Sequence, residues 1–375
     1  MDADIAADPR VRRRRAQAHN HNGGRVGFQG CTTFHVSTGA MARSSAVRLP
    51  LHRAASMSNS AGRSSTSGRS RFAIPVSTLA SGYELSIPVL TITGSRPGPR
   101  VGVSAMIHGD ELDGLLIVRE LWRALDPTQL SGSLWLMPVA NPLAMEAVTR
   151  NTPIDMLDMN RLFPGAPDGW LSEQQAHAIA TGFISQLDCL IDIHAGGTFP
   201  WVDYCYVLND EAFSRAFLSA LLYTPPSMYP ATTAAAAMAR NIPITVVEIG
   251  GGYHDQQEHV QNGVRGVLNM LRHAGALPGT VERRPKQLLL RDIKVMRPRH
   301  GGLCVPTRTL KPAEWISGGD VLAEIVSPHT FETLETMIAP FERSVVVLTR
   351  NYATRINPGD YAFMMGNGAT AAWYD

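Results

Sequence analysis

The chain has 375 residues, 44% of them hydrophobic, and a formal net charge of +2. That length can bury one large core and a smaller one, and the near-neutral balance gives no global electrostatic case for a nucleic-acid partner. No run reaches the roughly 18 apolar residues that span a bilayer, and the first residues do not read as a secretory signal, so no membrane partner is expected. Cys31, Cys189, Cys205 and Cys304 form no C-x-x-C pair and match no zinc-finger spacing. In a chain that needs no staples they are expected to be reduced thiols of a cytoplasmic protein.

Residues 1–70 differ from the rest. Positions 9–83 hold no Asp or Glu, while Arg12, Arg13, Arg14 and Arg15 form a run and Ser, Arg and Gly dominate 56–70. Apolar residues there show no sustained period and cannot offset the entropy of ordering, so a disordered extension is expected. A transit peptide, a basic tail and an upstream extension ahead of Met41 or Met57 all fit that composition.

Order is expected from residue 71, with a catalytic α/β domain over 71–280. Strand formers fill 83–93, and 100–107 (RVGVSAMI) reads as a buried strand running into His108-Gly109-Asp110-Glu111. The spacing of Leu112, Leu115, Leu116, Val118, Leu121 and Trp122 predicts a helix over 111–125. Further strands are expected at 133–139, 188–194 (DCLIDIH) and 244–249 (ITVVEI), and further helices at 173–186 and 258–274. Alternating strands and helices imply a largely parallel sheet covered on both faces, with its site at the carboxyl ends of the strands. His108, His194 and Glu248 all stand at such ends. After Gly279 the helical periodicity stops, and short apolar runs between Gly and Pro turns predict a small all-β domain over 281–375.

His108-x-x-Glu111 sets an imidazole and a carboxylate three residues apart at a strand-to-helix junction. A catalytic zinc site takes three N or O ligands and keeps one position open. His194, followed by Ala195-Gly196-Gly197, is the candidate for the distant third ligand. Glu248 sits in an apolar strand, where a carboxylate must be paired or functional. It is either a general base for the attacking water or one half of an ion pair. Asp192 shares a strand face with His194 and either orients that imidazole or is an ordinary buried aspartate. Arg150, Asn160 and Arg161 lie in a turn-rich stretch, where arginines suit carboxylate or oxyanion recognition. Phe199-Pro200-Trp201 either walls a pocket or packs its own loop.

Taken in order, His108-Gly-Asp-Glu111, Thr149-Arg150, Asp158-Met-Asn160-Arg161, Asp192-Ile-His194 and Val247-Glu248-Ile-Gly resemble the succinylglutamate desuccinylase/aspartoacylase family of the zinc carboxypeptidase-like (M14) superfamily. The stretches TPIDMLDMNRLFPG and VEIGGG look closest to its bacterial N-acetyl-diaminobutyrate deacetylase-like branch. The resemblance implies a zinc-carboxypeptidase-like mixed sheet flanked by helices, followed by a small barrel-like β domain. It implies one Zn2+ per chain on His108, Glu111 and His194, Glu248 as general base, Arg150 polarising the scissile carbonyl, and Asn160 and Arg161 holding a substrate carboxylate. The implied reaction is hydrolysis of the amide of a small N-acylated amino acid or related amide. Mammalian aspartoacylases place an additional substrate arginine ahead of the catalytic Glu; here the nearest is Arg240, eight residues before Glu248. Residues 318–325 resemble a lipoyl/biotinyl-type barrel, but Lys286, Lys294 and Lys311 are the chain's lysines and none falls on the hairpin such a carrier needs. The alternatives are a carboxypeptidase acting on peptides or murein fragments, and an inactive binding protein of the same fold. Assembly as a homo-oligomer is left open.

Overall fold

The computed structural model describes residues 67–252 and 256–374. Its first strands are β1 (Gly68–Thr78), β2 (Glu84–Thr93) and β3 (Arg96–Ala105), followed by helix α1 (Leu112–Ala124), strand β4 (Ser131–Met137) and helices α2 (Pro142–Ala147) and α3 (Leu171–Gly182). Strands β5 (Cys189–His194) and β6 (Trp201–Tyr206), helix α4 (Glu211–Arg215), strand β7 (Leu221–Tyr223), helix α5 (Thr233–Met238), strand β8 (Ile244–Gly250) and helix α6 (Gln256–His273) complete the α/β part. The remainder is strands: β9 (Gln287–Leu290), β10 (Ile293–Met296), β11 (Gly302–Pro306), β12 (Trp315–Ser317), β13 (Val321–Val326), β14 (Thr333–Ile338), β15 (Arg343–Thr349), β16 (Thr354–Ile356), β17 (Phe363–Asn367) and β18 (Ala372–Tyr374).

The main sheet runs β1-β2-β4-β3-β5-β8-β6-β15-β17-β10. Its centre, β4-β3-β5-β8, is parallel, and both flanks are antiparallel. The pairings of β6 with β15 and of β7 with β9 carry this sheet from the α/β part into the C-terminal strands. Strands β14, β13, β11 and β16 form a separate antiparallel sheet with its own core around Cys304, Leu322 and Ile325.

Period-two alternation decides which face each strand residue serves. On β5, Ile191 and Ile193 pack with Ile117, Val118 and Leu121 of α1 and Val267 and Met270 of α6. Leu190 points to the other face, against Ile179 of α3 and Ala236 and Ala237 of α5. Asp192 and His194 continue that second face. On β8, Val247 and Ile249 join the first core, while Ile244 and Val246 join the second and Glu248 continues their row. Two hydrophobic strands thus each end in polar groups on the same side of the sheet.

The helix beginning at Leu112 matches the predicted one, but Leu112 is exposed and Asp113 and Gly114 face the sheet instead. Gly114 lets the helix approach closely: a Cβ there would stand 2.9 Å from that of Ala105. Strand β1 begins at Gly68, three residues inside the stretch assigned to the extension; Arg69 caps the carbonyl of Leu125 and Ser70 bonds Thr91, contacts that composition does not reveal. The rest of that stretch, with Cys31, lies outside the described residues. Cys189, Cys205 and Cys304 are buried and unpaired. Among the described residues no helix is long and apolar enough to cross a membrane.

Candidate active site

The segment carrying His108 leaves β3 through Met106, whose φ of 56° is a left-handed conformation uncommon for any residue but glycine. That turn ends the strand and brings His108 back over the sheet edge, and Glu111 becomes the N-cap residue of α1. The Nδ1 of His108 lies 2.6 Å from Glu111 Oε1, and the Nδ1 of His194 lies 2.9 Å from Glu111 Oε2. One donor atom from each of His108, Glu111 and His194 falls within 4.8 Å of the others, and all three residues are buried.

Both imidazoles are held from behind. The Nε2 of His194 faces Asp192 Oδ2 at 3.3 Å, and the Nε2 of His108 faces Asp158 Oδ1 at 3.3 Å. Asp192 is itself fixed by Ser104 Oγ at 2.6 Å and by the hydroxyl of Thr233. Asp158 accepts from Arg150 Nε and Nη2 at 3.1 and 2.9 Å and from the Asn160 backbone N–H at 2.9 Å. Each histidine therefore offers Nδ1 to a shared point and rests Nε2 on a carboxylate. Such an arrangement sets the tautomer and ring angle of a metal-binding imidazole.

Two imidazoles and one carboxylate converging on one point fit a catalytic zinc, which takes a three-ligand N/O set and keeps an open position. The electrostatics agree. Burial opposes charge on Glu111, but the two imidazoles outweigh it and hold its pKa below the usual carboxylate range. Burial likewise opposes charge on His194, but Glu111 and Asp192 hold its pKa well above the usual imidazole value. A cation between these groups would take over the role of that proton.

Glu248 stands beside His194 in the parallel β5–β8 register and opposite Tyr204 across β6. Burial raises its pKa to about 7; the neighbouring Glu111 charge adds to this, while the histidines and Arg150 oppose it. The following turn is built for close approach. Gly250 and Gly251 have φ of 88° and 89°, and a Cβ on Gly250 would lie 2.5 Å from the Asp113 carboxyl carbon. Asp113 Oδ2 accepts the Gly251 N–H at 3.1 Å, and the Gly252 N–H bonds the Gly197 carbonyl at 2.9 Å, so the turns after β8 and β5 brace one another.

His108, Glu111, Arg150, Asn160, Arg161, His194 and Glu248 all line one cavity of about 710 Å3. That is within the range of small-molecule sites. Asn160 lies with its amide 3.5 Å from His194 Nε2, and its Oδ1 accepts the backbone N–H of Thr233 at 2.9 Å. Arg161 donates to the Asn160 carbonyl at 2.7 Å and lies over Tyr229. Arg240 does not join them: at the end of α5 it is exposed and bonds the Ala236 carbonyl, because the helix turns it away from the sheet edge. Phe199 and Pro200 line the cavity, with the guanidiniums of Arg350 and Arg355 by the Phe199 ring, so this segment walls the pocket.

Three supports escaped sequence reasoning. Asp158 was legible only as a motif letter two residues before Asn160; nothing in the spacing tied it to His108, 50 residues away. Ser104 and Thr233 gave no signal at all. Asp158→Asn, which weakens the Arg150 pair and leaves the His108 Nε2 proton a poorer acceptor, is expected to loosen metal binding about 10- to 100-fold. Arg150 is half exposed, so little global stability should go with it. Competition with a metallochromic chelator measures this; unchanged affinity would remove Asp158 from the site.

Residues 97–274 match the family model described as the succinylglutamate desuccinylase/aspartoacylase catalytic domain. The chain is 26% identical over 306 residues to an N-alpha-acetyl-L-2,4-diaminobutyric acid deacetylase of Halomonas elongata, covering 76% of this chain and 87% of that protein. Among solved structures it resembles a succinylglutamate desuccinylase/aspartoacylase from Rhodobacter sphaeroides, with a TM-score of 0.69, 25% identity, and 82% and 98% of the two chains covered. It also shares the fold of the product-bound ectoine utilization protein EutE (DoeB) from Ruegeria pomeroyi, with a TM-score of 0.71, 22% identity, and 82% and 98% covered.

Proposed function

We propose that the chain, whose residues 97–274 match the succinylglutamate desuccinylase/aspartoacylase catalytic domain, is a zinc-dependent deacylase that hydrolyses the amide bond of a small N-acylated amino acid. The observation that carries this reading is the convergence of His108, Glu111 and His194 on one point beside Glu248, within one cavity. Zinc, when bound, would supply Lewis acidity toward the acyl carbonyl and lower the pKa of a water.

The chain's own residues account for the rest. Glu248, with a pKa near neutrality, takes the proton of the attacking water and passes it to the departing amine nitrogen. Arg150 is held by two hydrogen bonds to Asp158 with its Nη1 directed toward His108 and Glu111. From there it stabilises negative charge developing on the former carbonyl oxygen. Asn160 and Arg161 hold the carboxylate of the amino-acid half, Asn160 being fixed by Thr233 and Arg161 steadied by Tyr229. The histidine-supporting aspartates keep both imidazoles aimed without reorganisation during turnover.

The test is a metal assay paired with a panel of N-acetyl-diaminobutyrate, N-acetylaspartate, N-succinylglutamate and short peptides. About one zinc per chain, with hydrolysis of an N-acyl amino acid that chelator abolishes and zinc restores, is the expected result. Cleavage of peptides alone would move the assignment to a carboxypeptidase. Failure to bind zinc after add-back would overturn it.

A further inference from the structure

The deacylase reading gives the amino-acid half of the substrate a carboxylate clamp and a base, but no place for its side chain. That side chain branches from the carbon joining the carboxylate to the scissile nitrogen. With the carboxylate at Asn160 and Arg161 and the nitrogen at Glu248, it meets the cavity wall between them. This wall is built from β6, the segment between β7 and α5, the start of α5, and β8.

Every described residue between Trp201 and Val247 that lines the cavity is uncharged. Tyr204 lies opposite Glu248 in the β6–β8 register, and Tyr206 and Val246 are the next residues of the two strands on that face. Leu208, Met228 and Val246 are half-buried and pack against one apolar core. The Tyr206 ring lies between those of Tyr204 and Tyr223, 5.4 Å from each, and its hydroxyl accepts from that of Tyr204 at 3.4 Å. Burial raises the pKa of both hydroxyls, so neither carries charge.

Charge stands only at the two ends of this wall. Arg240 turns away from it, and the start of α5 shows the cavity Thr232, Thr233 and Ala234. At one end Arg161 lies 5.4 Å over the Tyr229 ring, which occupies that face and repels a second cation. At the other end stands Glu248, whose charge the reaction uses. A side-chain ammonium entering here would lose its hydration with no further carboxylate of the described residues on this wall to replace it. A side-chain carboxylate would lose its hydration against a cation already committed to the other carboxylate. An aromatic side chain has neither cost and gains edge-to-face or offset contact with the tyrosine rings.

Resting on the deacylase reading, we propose that Tyr206, Met228, Tyr229 and Val246 receive the side chain of the amino-acid half and select an uncharged aromatic one. The favoured substrates are then N-acyl derivatives of phenylalanine-like amino acids. Side chains of either charge are disfavoured by desolvation rather than by size.

The experiment compares kcat/KM of the zinc-loaded full chain on N-acetylphenylalanine, N-acetylalanine, N-acetylaspartate and α-N-acetyl-diaminobutyrate. Where another acyl group is cleaved faster, the same four amino acids carry it. The expected result is a preference for the phenylalanine derivative of about 10-fold or more over each of the others. Tyr206→Ala should cut its advantage over the alanine derivative about 10-fold, chiefly through KM, and Tyr206→Phe should keep it. Met228→Asp, on the segment before α5, sets a carboxylate on the wall without touching a strand; it should shift the ratio of phenylalanine to diaminobutyrate derivative about 10-fold toward the latter. Equal rates on all four, a wild-type preference for a charged side chain, or a phenylalanine preference untouched by both Tyr206→Ala and Met228→Asp overturns the proposal. If the wild type cleaves no N-acyl amino acid, the deacylase reading fails, and the wall is read by calorimetry with N-acetylphenylalanine and N-acetylalanine. Tighter binding of the first by about 10-fold, lost in Tyr206→Ala, sustains the subsite, and equal binding overturns it.

Discussion

Glu248→Gln is expected to lower kcat by about 100- to 10,000-fold, the usual range for removing a general base, while zinc content stays near that of the wild type. The amide keeps the shape of the carboxylate on a strand flanked by Val247 and Ile249, so the fold has no reason to change. The same carboxylate sets the acid limb of the pH profile. Burial pushes its pKa up to about 7. A base works when deprotonated, so activity is lost as pH falls through that value. The positive charge of a bound zinc favours the carboxylate and should place the limb of the loaded enzyme below 7. Turnover, zinc content and the kcat/KM–pH profile measured together decide the matter. Near-normal turnover in the variant, or an acid limb that survives it unchanged, would remove Glu248 as the base.

The second large effect is expected at His194→Ala. Loss of one of three ligands should weaken metal binding by more than the about 10- to 100-fold typical of losing an outer support, and hydrolysis should fall with it. Asp192 keeps Ser104 and Thr233 as partners in the variant, so a folded protein is expected. Zinc stoichiometry after dialysis is the direct readout, with the thermal transition as control. A folded variant that holds zinc as tightly as the wild type would exclude His194 as a ligand and leave Asp158, on the far side of His108, as the carboxylate to test next.

These two residues show why parts of the site could be read from the chain. His194 and Glu248 each interrupt an apolar strand at its carboxyl end, where a polar group has no structural reason to be unless it faces a site. The regular strands β5 and β8 are short apolar runs with nothing to compete against that assignment. Local sequence was weaker where the element itself is short: β6, β7, α4 and α5 are three to six residues long and carry no sustained period, yet α5 supplies Thr233 and β6 supplies Tyr204 beside Glu248.

The sequence by itself determined the α/β character, the placing of His108, His194 and Glu248 at or just beyond the carboxyl ends of strands, and the motifs that resemble one family. Each of those rests on periodicity or on residues close together in the chain, and local order survives in a string of letters. Only the tertiary structure decided that Asp158 stands behind His108, that Ser104 and Thr233 hold Asp192, and that C-terminal strands extend the catalytic sheet to bring Arg350 into the cavity. Those contacts join segments separated by 41 to more than 100 residues. They exist because strand pairing across β8, β6 and β15 places distant side chains on one wall. A buried guanidinium looks, in the sequence, like any other arginine; the desolvation that opposes its charge is imposed by the fold.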